Sequence, residues 1–186
     1  MTTTPTRVRV VTGGDAVRGV LTALPDDMRP TAFQHPTWID RWLAAEGRTE
    51  RRTVLALVED GVTGRPVFAL PLMLDTFGAA AFWGPLDLGV CDYNTSFAAP
   101  EFRPSQVEMR SIWTRIVAAL PDDASFLMID KLPAAIGDRA EPLMDLPGLR
   151  RSHIVRHPLR LDADYATLRD TRFSQTMVRS LTRKRR

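Results

Sequence analysis

The sequence predicts an α/β fold of the mixed kind: a central, largely antiparallel sheet flanked by helices, followed by a basic C-terminal helix. Three observations predict it. Residues 53–59, 67–74 and 79–83 have strand character and are joined by short turns around Asp60-Gly61, Gly64 and Phe77-Gly78, which makes an antiparallel meander. Residues 105–120 carry the one helix with both a start signal and a core-facing stripe. The apolar run at 125–132 then supplies a further, buried strand, so helix and strand alternate as layers of a mixed sheet require.

The remaining elements follow from local pattern. Residues 7–11 alternate as a first strand, and a helix is expected over 16–24, with Asp15 as its cap and Pro25-Asp26-Asp27 ending it. In HPTWIDRWLAAEG the pairs Trp38/Trp42 and Ile39/Leu43 stand four apart, on one stripe of a short helix. Ser105 and Glu108 form an SxxE capping box ahead of Met109, Ile112, Trp113, Ile116, Val117 and Leu120, and Pro121-Asp122-Asp123 stops that helix. Beyond Pro133, residues 138–146 read as a short helix, 152–161 as an interrupted strand, and Asp164 onward as a helix carrying Tyr165, Leu168, Phe173, Met177 and Leu181. Domain organisation follows: one domain over 1–171, then a basic helix over 172–186.

A chain of 186 residues with 44% apolar and 25% charged side chains has the composition of one globular domain. No run approaches the roughly 18–20 apolar residues that cross a bilayer, and MTTTPTRVRV lacks a signal peptide's apolar core, so a cytoplasmic protein without a membrane partner is expected. The single Cys91 excludes an internal disulfide framework. The net charge of +3 belongs to the tail: Arg172, Arg179, Arg183, Lys184, Arg185 and Arg186 stand there without an acid. Without those six the balance is 19 basic against 22 acidic residues, which gives no reason to expect nucleic acid.

Few residues offer chemistry. Cys91 has no local base or positive field to make a thiolate, so a buried thiol is the expectation. His153 and His157 fall in a strand pattern, where four residues span about 13 Å, too far to share one zinc ion. His35, before Pro36, belongs to a helix entry, and no metal site is expected. Asp92 and Tyr93 follow a strand and can accept a substrate ammonium or hydroxyl through charge-assisted hydrogen bonds. Their plainer account is an Asx-type turn with a half-buried Tyr. Trp83, like Trp38, is first a core indole and second a ligand platform. Arg172, Arg179, Arg183 and Arg186 share a helical stripe that suits phosphate, a solvated face, or a helix continuing into a part this chain does not contain. There is no GxGxxG, GxxxxGK, QxxGxG or RxxGxG loop and no GxSxG elbow, so no coenzyme site is expected within this chain.

The order of landmarks carries a resemblance. FQHPTWIDRWL, LPLML, FWGPLDLGVCDYN, FLMIDKLP and DYATLRDTRFSQTMVRSLTRKRR, from Phe33 to Arg186, resemble the N-terminal region of the CelD/BioF2-like acetyltransferase family of the GNAT superfamily, related to the FemAB-type aminoacyl transferases. The resemblance implies a GNAT-like half domain and transfer of an acyl group from acetyl-CoA or another acyl-CoA to an amine or hydroxyl of a small molecule or polymer. It also implies that the coenzyme sits on a second half, absent here, without which this chain is inactive. Trp83, Asp92 and Tyr93 are then the expected acceptor contacts, and no catalytic residue is assigned. The alternative is a non-catalytic module that engages a partner protein or anionic polymer through its basic helix. Self-association of the half is a third expectation.

Overall fold

The computed structural model describes residues 5–28, 31–35, 37–39, 41, 52–87, 91, 93–150 and 174–176. The chain divides into two units, Met1–Arg150 and Arg151–Arg186. Of the second only Ser174, Gln175 and Thr176 are described, the last two helical. The strand expected at 152–161, the helix expected from Asp164, the pair His153/His157 and the arginine stripe lie outside the described residues, as do Trp42 and Leu43.

In the first unit the meander forms as the short turns require. Strands β1 (Thr6–Thr12), β2 (Thr53–Asp60), β3 (Pro66–Phe77) and β4 (Ala80–Pro85) pair antiparallel in sequence order. The register sets Val10 beside Ala56, Ala56 beside Leu70, and Leu74 beside Trp83. Thr53 to Val58 are buried without interruption, and because successive side chains point to opposite faces, β2 must be covered on both. At the β3–β4 turn Gly78 has φ 61°, which a side chain would disfavour.

The helices close these faces. Helix α1 (Gly14–Ala23) buries Val17 and Leu21, four apart on one stripe. It starts earlier than expected: Gly13, with φ 93°, is the N-cap, and its carbonyl accepts the Val17 N–H at 2.9 Å. Asp15 is therefore not the cap; it lies in the first turn and pairs with Arg18 at 3.1 Å. Helix α2 (Gln106–Ala119) has the full capping box, in which the Ser105 hydroxyl accepts the Glu108 N–H and the Glu108 carboxylate accepts the Ser105 N–H at 2.7 Å. It buries Met109, Ile112 and Ile116, whereas Val117 faces solvent. Arg115 fastens α2 to the sheet edge by donating to the Thr6 carbonyl and hydroxyl, each at 2.6 Å. Ser105→Ala removes one half of the box, and a loss of about 1 kcal/mol in chemical denaturation is expected; no loss would show that the Glu108 arm alone suffices.

Two expectations are corrected. The run at 125–132 yields only a short strand, β6 (Phe126–Leu127), running parallel to β4 at the sheet edge; β5 (Phe97–Ala98) precedes it in sequence and pairs with β3. Phe126 and Met128 are exposed, so the run is not a buried strand, and among the described residues β6 ends the sheet. The helix expected over 138–146 is instead a hairpin, β7 (Ala135–Ile136) with β8 (Arg139–Ala140), followed by a 3-10 turn, Pro142–Asp145. Gly137, at φ 61°, and Asp138 make the tight turn, and Pro142 can open a helical turn but cannot continue one.

The β2–β3 turn rests on Asp60, whose Oδ1 accepts the N–H groups of Val62 (3.0 Å) and Thr63 (2.7 Å) and the Thr63 hydroxyl (2.9 Å). The Thr63 N–H, then the Thr63 hydroxyl, hold its carboxyl below the usual aspartate range against a smaller opposing effect of desolvation. With the folded value depressed, the contribution is complete above the unfolded value and declines as pH falls through the folded one. Asp60→Asn keeps an acceptor oxygen, so a flatter urea midpoint below about pH 4 than in the parent is expected. Parallel acid limbs for the two proteins would exclude Asp60 as a source of acid sensitivity.

Candidate functional site

A break in the pairing of β3 builds the site. One edge of β3 pairs with β2 from Pro66 to Met73, while the other edge pairs with β4 from Leu72 to Phe77 and with β5 at Phe68 and Ala69. Between the two partners stand Leu70 and Pro71. Proline has no N–H to offer a ladder, so on the second edge Pro71 uses only its carbonyl, which accepts the Leu86 N–H at 3.3 Å, and the chain leaves the sheet after Pro85 and returns at Phe97. The gap is a small cleft of about 40 Å³ walled by Leu70, Pro71, Pro85, Leu86 and Phe97, with Phe33, Ile39, Cys91 and Tyr93 across it. That space has room for a few waters.

The connection after β4 is pinned to the strand end beyond β6 by polar groups. Lys131 has φ 51°, a left-handed conformation in which a non-glycine residue is strained. In that conformation its ammonium donates to the Cys91 carbonyl at 3.0 Å and stands 3.5 Å from Oδ2 of buried Asp87. Asn94 closes the same gap: its N–H donates to the Lys131 carbonyl at 3.2 Å, and its amide donates to the Asp130 carbonyl (3.2 Å) and carboxylate (3.1 Å).

The next two residues are tied elsewhere. Glu141, 4% exposed, accepts the Thr95 hydroxyl at 2.5 Å, the Ser96 N–H at 3.0 Å, the Ser96 hydroxyl at 2.7 Å and the Leu143 N–H at 3.3 Å. Thr95 and Ser96 are themselves buried. A second cavity of about 20 Å³ lies beside this carboxylate, bordered by Arg103, Ile136, Arg139 and Pro142. Thr95 borders both spaces.

Among the residues expected from sequence, Tyr93 lines the cleft, half-buried, with its ring 6.3 Å from that of Phe33. Asp92 lies outside the described residues. Trp83 is buried in β4, donates its indole N–H to the Pro121 carbonyl at 3.2 Å, and is not on the cleft wall. Trp38 is 39% exposed and packs edge-on against Phe33 at 5.3 Å. Cys91 is buried. The imidazole Nδ1 of His35 accepts the Thr37 N–H at 3.2 Å, a helix-entry contact. Sequence reading passed over Asn94, Thr95, Ser96, Lys131 and Glu141. The only available signal was the polar Asn94-Thr95-Ser96 stretch set between Tyr93 and Phe97.

No family model matches the chain. No curated protein matches it. Solved structures to which it is similar are acetyltransferases. One, a probable acetyltransferase, has 11% identity over 84% of this chain and 99% of the other, with a TM-score of 0.43. An acetyltransferase of Trypanosoma brucei has 15% identity over 86% of this chain and 100% of the other, with a TM-score of 0.42. The glucosamine-6-phosphate N-acetyltransferase of Arabidopsis thaliana has 11% identity over 68% of this chain and 82% of the other, with a TM-score of 0.39. Likenesses this distant assign no activity to the chain.

Proposed function

We propose that this chain supplies the acceptor side of a GNAT-type acyltransferase, which moves an acyl group from acetyl-CoA or another acyl-CoA to an amine or hydroxyl. The observation that carries the reading is the sheet break itself. Four antiparallel strands are followed by a helix and a parallel strand, and the cleft between β4 and β5 opens where the landmark FWGPLDLGVCDYN resembles the acetyltransferase family. Tyr93 is the acceptor contact within the described cleft, with Asp92 beside it in sequence and Trp83 supporting β4 from the core. In acyl transfer a neutral nucleophile must meet the thioester carbonyl while its proton is removed.

The coenzyme is held by residues outside this chain, a reading supported by the lack of any glycine loop that could cradle its pyrophosphate. Isothermal titration of this chain with acetyl-CoA is expected to give no binding, and micromolar affinity would overturn that part. The acceptor part is tested separately with simple amines and alcohols followed by methyl NMR of Leu70 and Leu86. Shifts at these two side chains are expected, and a cleft indifferent to every amine and alcohol would overturn it.

A further inference from the structure

We infer that Thr95 and Glu141 form the proton outlet of this cleft. The inference rests on the acceptor-side reading and adds the proton's path to it. Glu141 is a carboxylate shut away from solvent, yet it stands one hydroxyl from the cleft, because Thr95 borders both the cleft and the cavity beside Glu141. A threonine hydroxyl carries one proton and two lone pairs, so it can give its proton to Glu141 Oε2, 2.5 Å away, and accept another from a group in the cleft. The other polar contacts of Glu141, with Ser96 and the Leu143 N–H, fix the carboxylate in place and keep Oε2 aimed at Thr95.

The transfer balances without a further reactant. An acceptor that enters as its ammonium gives one N–H proton to Thr95 Oγ1 as the Thr95 proton passes to Glu141 Oε2, which leaves the neutral amine. Threonine is regenerated, the acceptor becomes the stronger nucleophile, and Glu141 holds the proton. It leaves through the roughly 20 Å³ cavity on the far side, which has room for one water and is bordered by exposed Arg103. Thr95 touches the acceptor; Glu141 acts through it and is a positioning residue as well as the proton's destination.

The test uses the whole chain labelled with 13C at the glutamate side-chain carboxyl and the leucine methyls, titrated with n-butylamine near pH 9. The Glu141 carboxyl signal and the Leu70 and Leu86 methyls are expected to move together with one dissociation constant. Thr95→Val, of similar shape but without the hydroxyl, removes a contact to the acceptor and should weaken binding; at saturating n-butylamine, where the leucine shifts are complete, it should lose at least three-quarters of the carboxyl shift. Thr95→Ser should restore it, which a merely structural hydroxyl would not explain. If the leucines respond while the Glu141 carboxyl stays still in the parent protein, or responds equally in Thr95→Val, the outlet is refuted and the acceptor cleft stands. Absence of any response at the leucines overturns both. Because the parent titration alone can refute the idea, the test survives a Thr95→Val protein that does not fold.

Discussion

Phe68→Ala is expected to lower folding stability by about 3–5 kcal/mol, the range for emptying a fully buried aromatic site. Phe68 is completely buried on β3, with Val58 of β2 on one side and Ala98 of β5 on the other. Its ring packs against Phe102 at 5.6 Å, so the loss would be felt across three strands and the segment leading to α2. The neighbours cannot collapse into the space without breaking strand register, which places the value toward the upper end. Phe68→Leu refills much of the volume and should recover about half of the loss. Urea denaturation of both variants checks this, and a deficit below about 1.5 kcal/mol for the alanine variant would mean that this part of the sheet is not packed as described.

Glu141→Ala should be nearly as damaging, about 3–5 kcal/mol, for a different reason. Its removal takes this acceptor from the Ser96 hydroxyl and the Ser96 and Leu143 N–H groups and leaves the Thr95 hydroxyl only its long contact to the Ser96 carbonyl at 3.5 Å, and each buried donor that loses its acceptor costs about 1–3 kcal/mol unless water reaches it. The small cavity beside the carboxylate admits water to part of the site, which keeps the total below the simple sum. Glu141→Gln retains one acceptor oxygen and should cost about 1–3 kcal/mol. A double-mutant cycle with Thr95→Val measures the pair directly, and additive losses would contradict a shared hydrogen bond. Amide exchange at Ser96 offers a second readout: its protection should fall more than that of the β2 amides in both Glu141 variants.

The parts legible from sequence are those whose cause is local. Alternation over 7–11, strand character over 53–59, 67–74 and 79–83 and the turn residues between the last three were enough to place β1 to β4 within a few residues, because tight turns leave one pairing order for β2, β3 and β4. Ser105 and Glu108 fixed the start of α2 because both halves of a capping box lie within one helical turn. The run Phe126–Ile129 was misread for a corresponding reason. Apolar residues in succession indicate a strand but not whether another strand covers it, and among the described residues β6 is the last strand of the sheet, with Phe126 and Met128 exposed. At 138–146, read as a short helix, the Gly137-Asp138 turn and Pro142 carry the better signal.

The candidate site divides along the same line. Tyr93 could be picked out from its place in a loop after a strand, and the structure sets it on the cleft wall. Nothing near Glu141 in sequence marks it, since its partners Thr95 and Ser96 lie 46 and 45 positions away, and it is the return of the chain after the β7–β8 hairpin that joins them. The sequence by itself determined the strand meander, the capped helix and the lack of a phosphate-cradling glycine loop, all of which follow from neighbours along the chain. Only the tertiary structure decided where the sheet breaks, that Trp83 turns inward to Pro121, and that a buried carboxylate stands behind Thr95. Those are contacts between distant segments, fixed by packing and by the need to pair every buried polar group, and no local pattern records them.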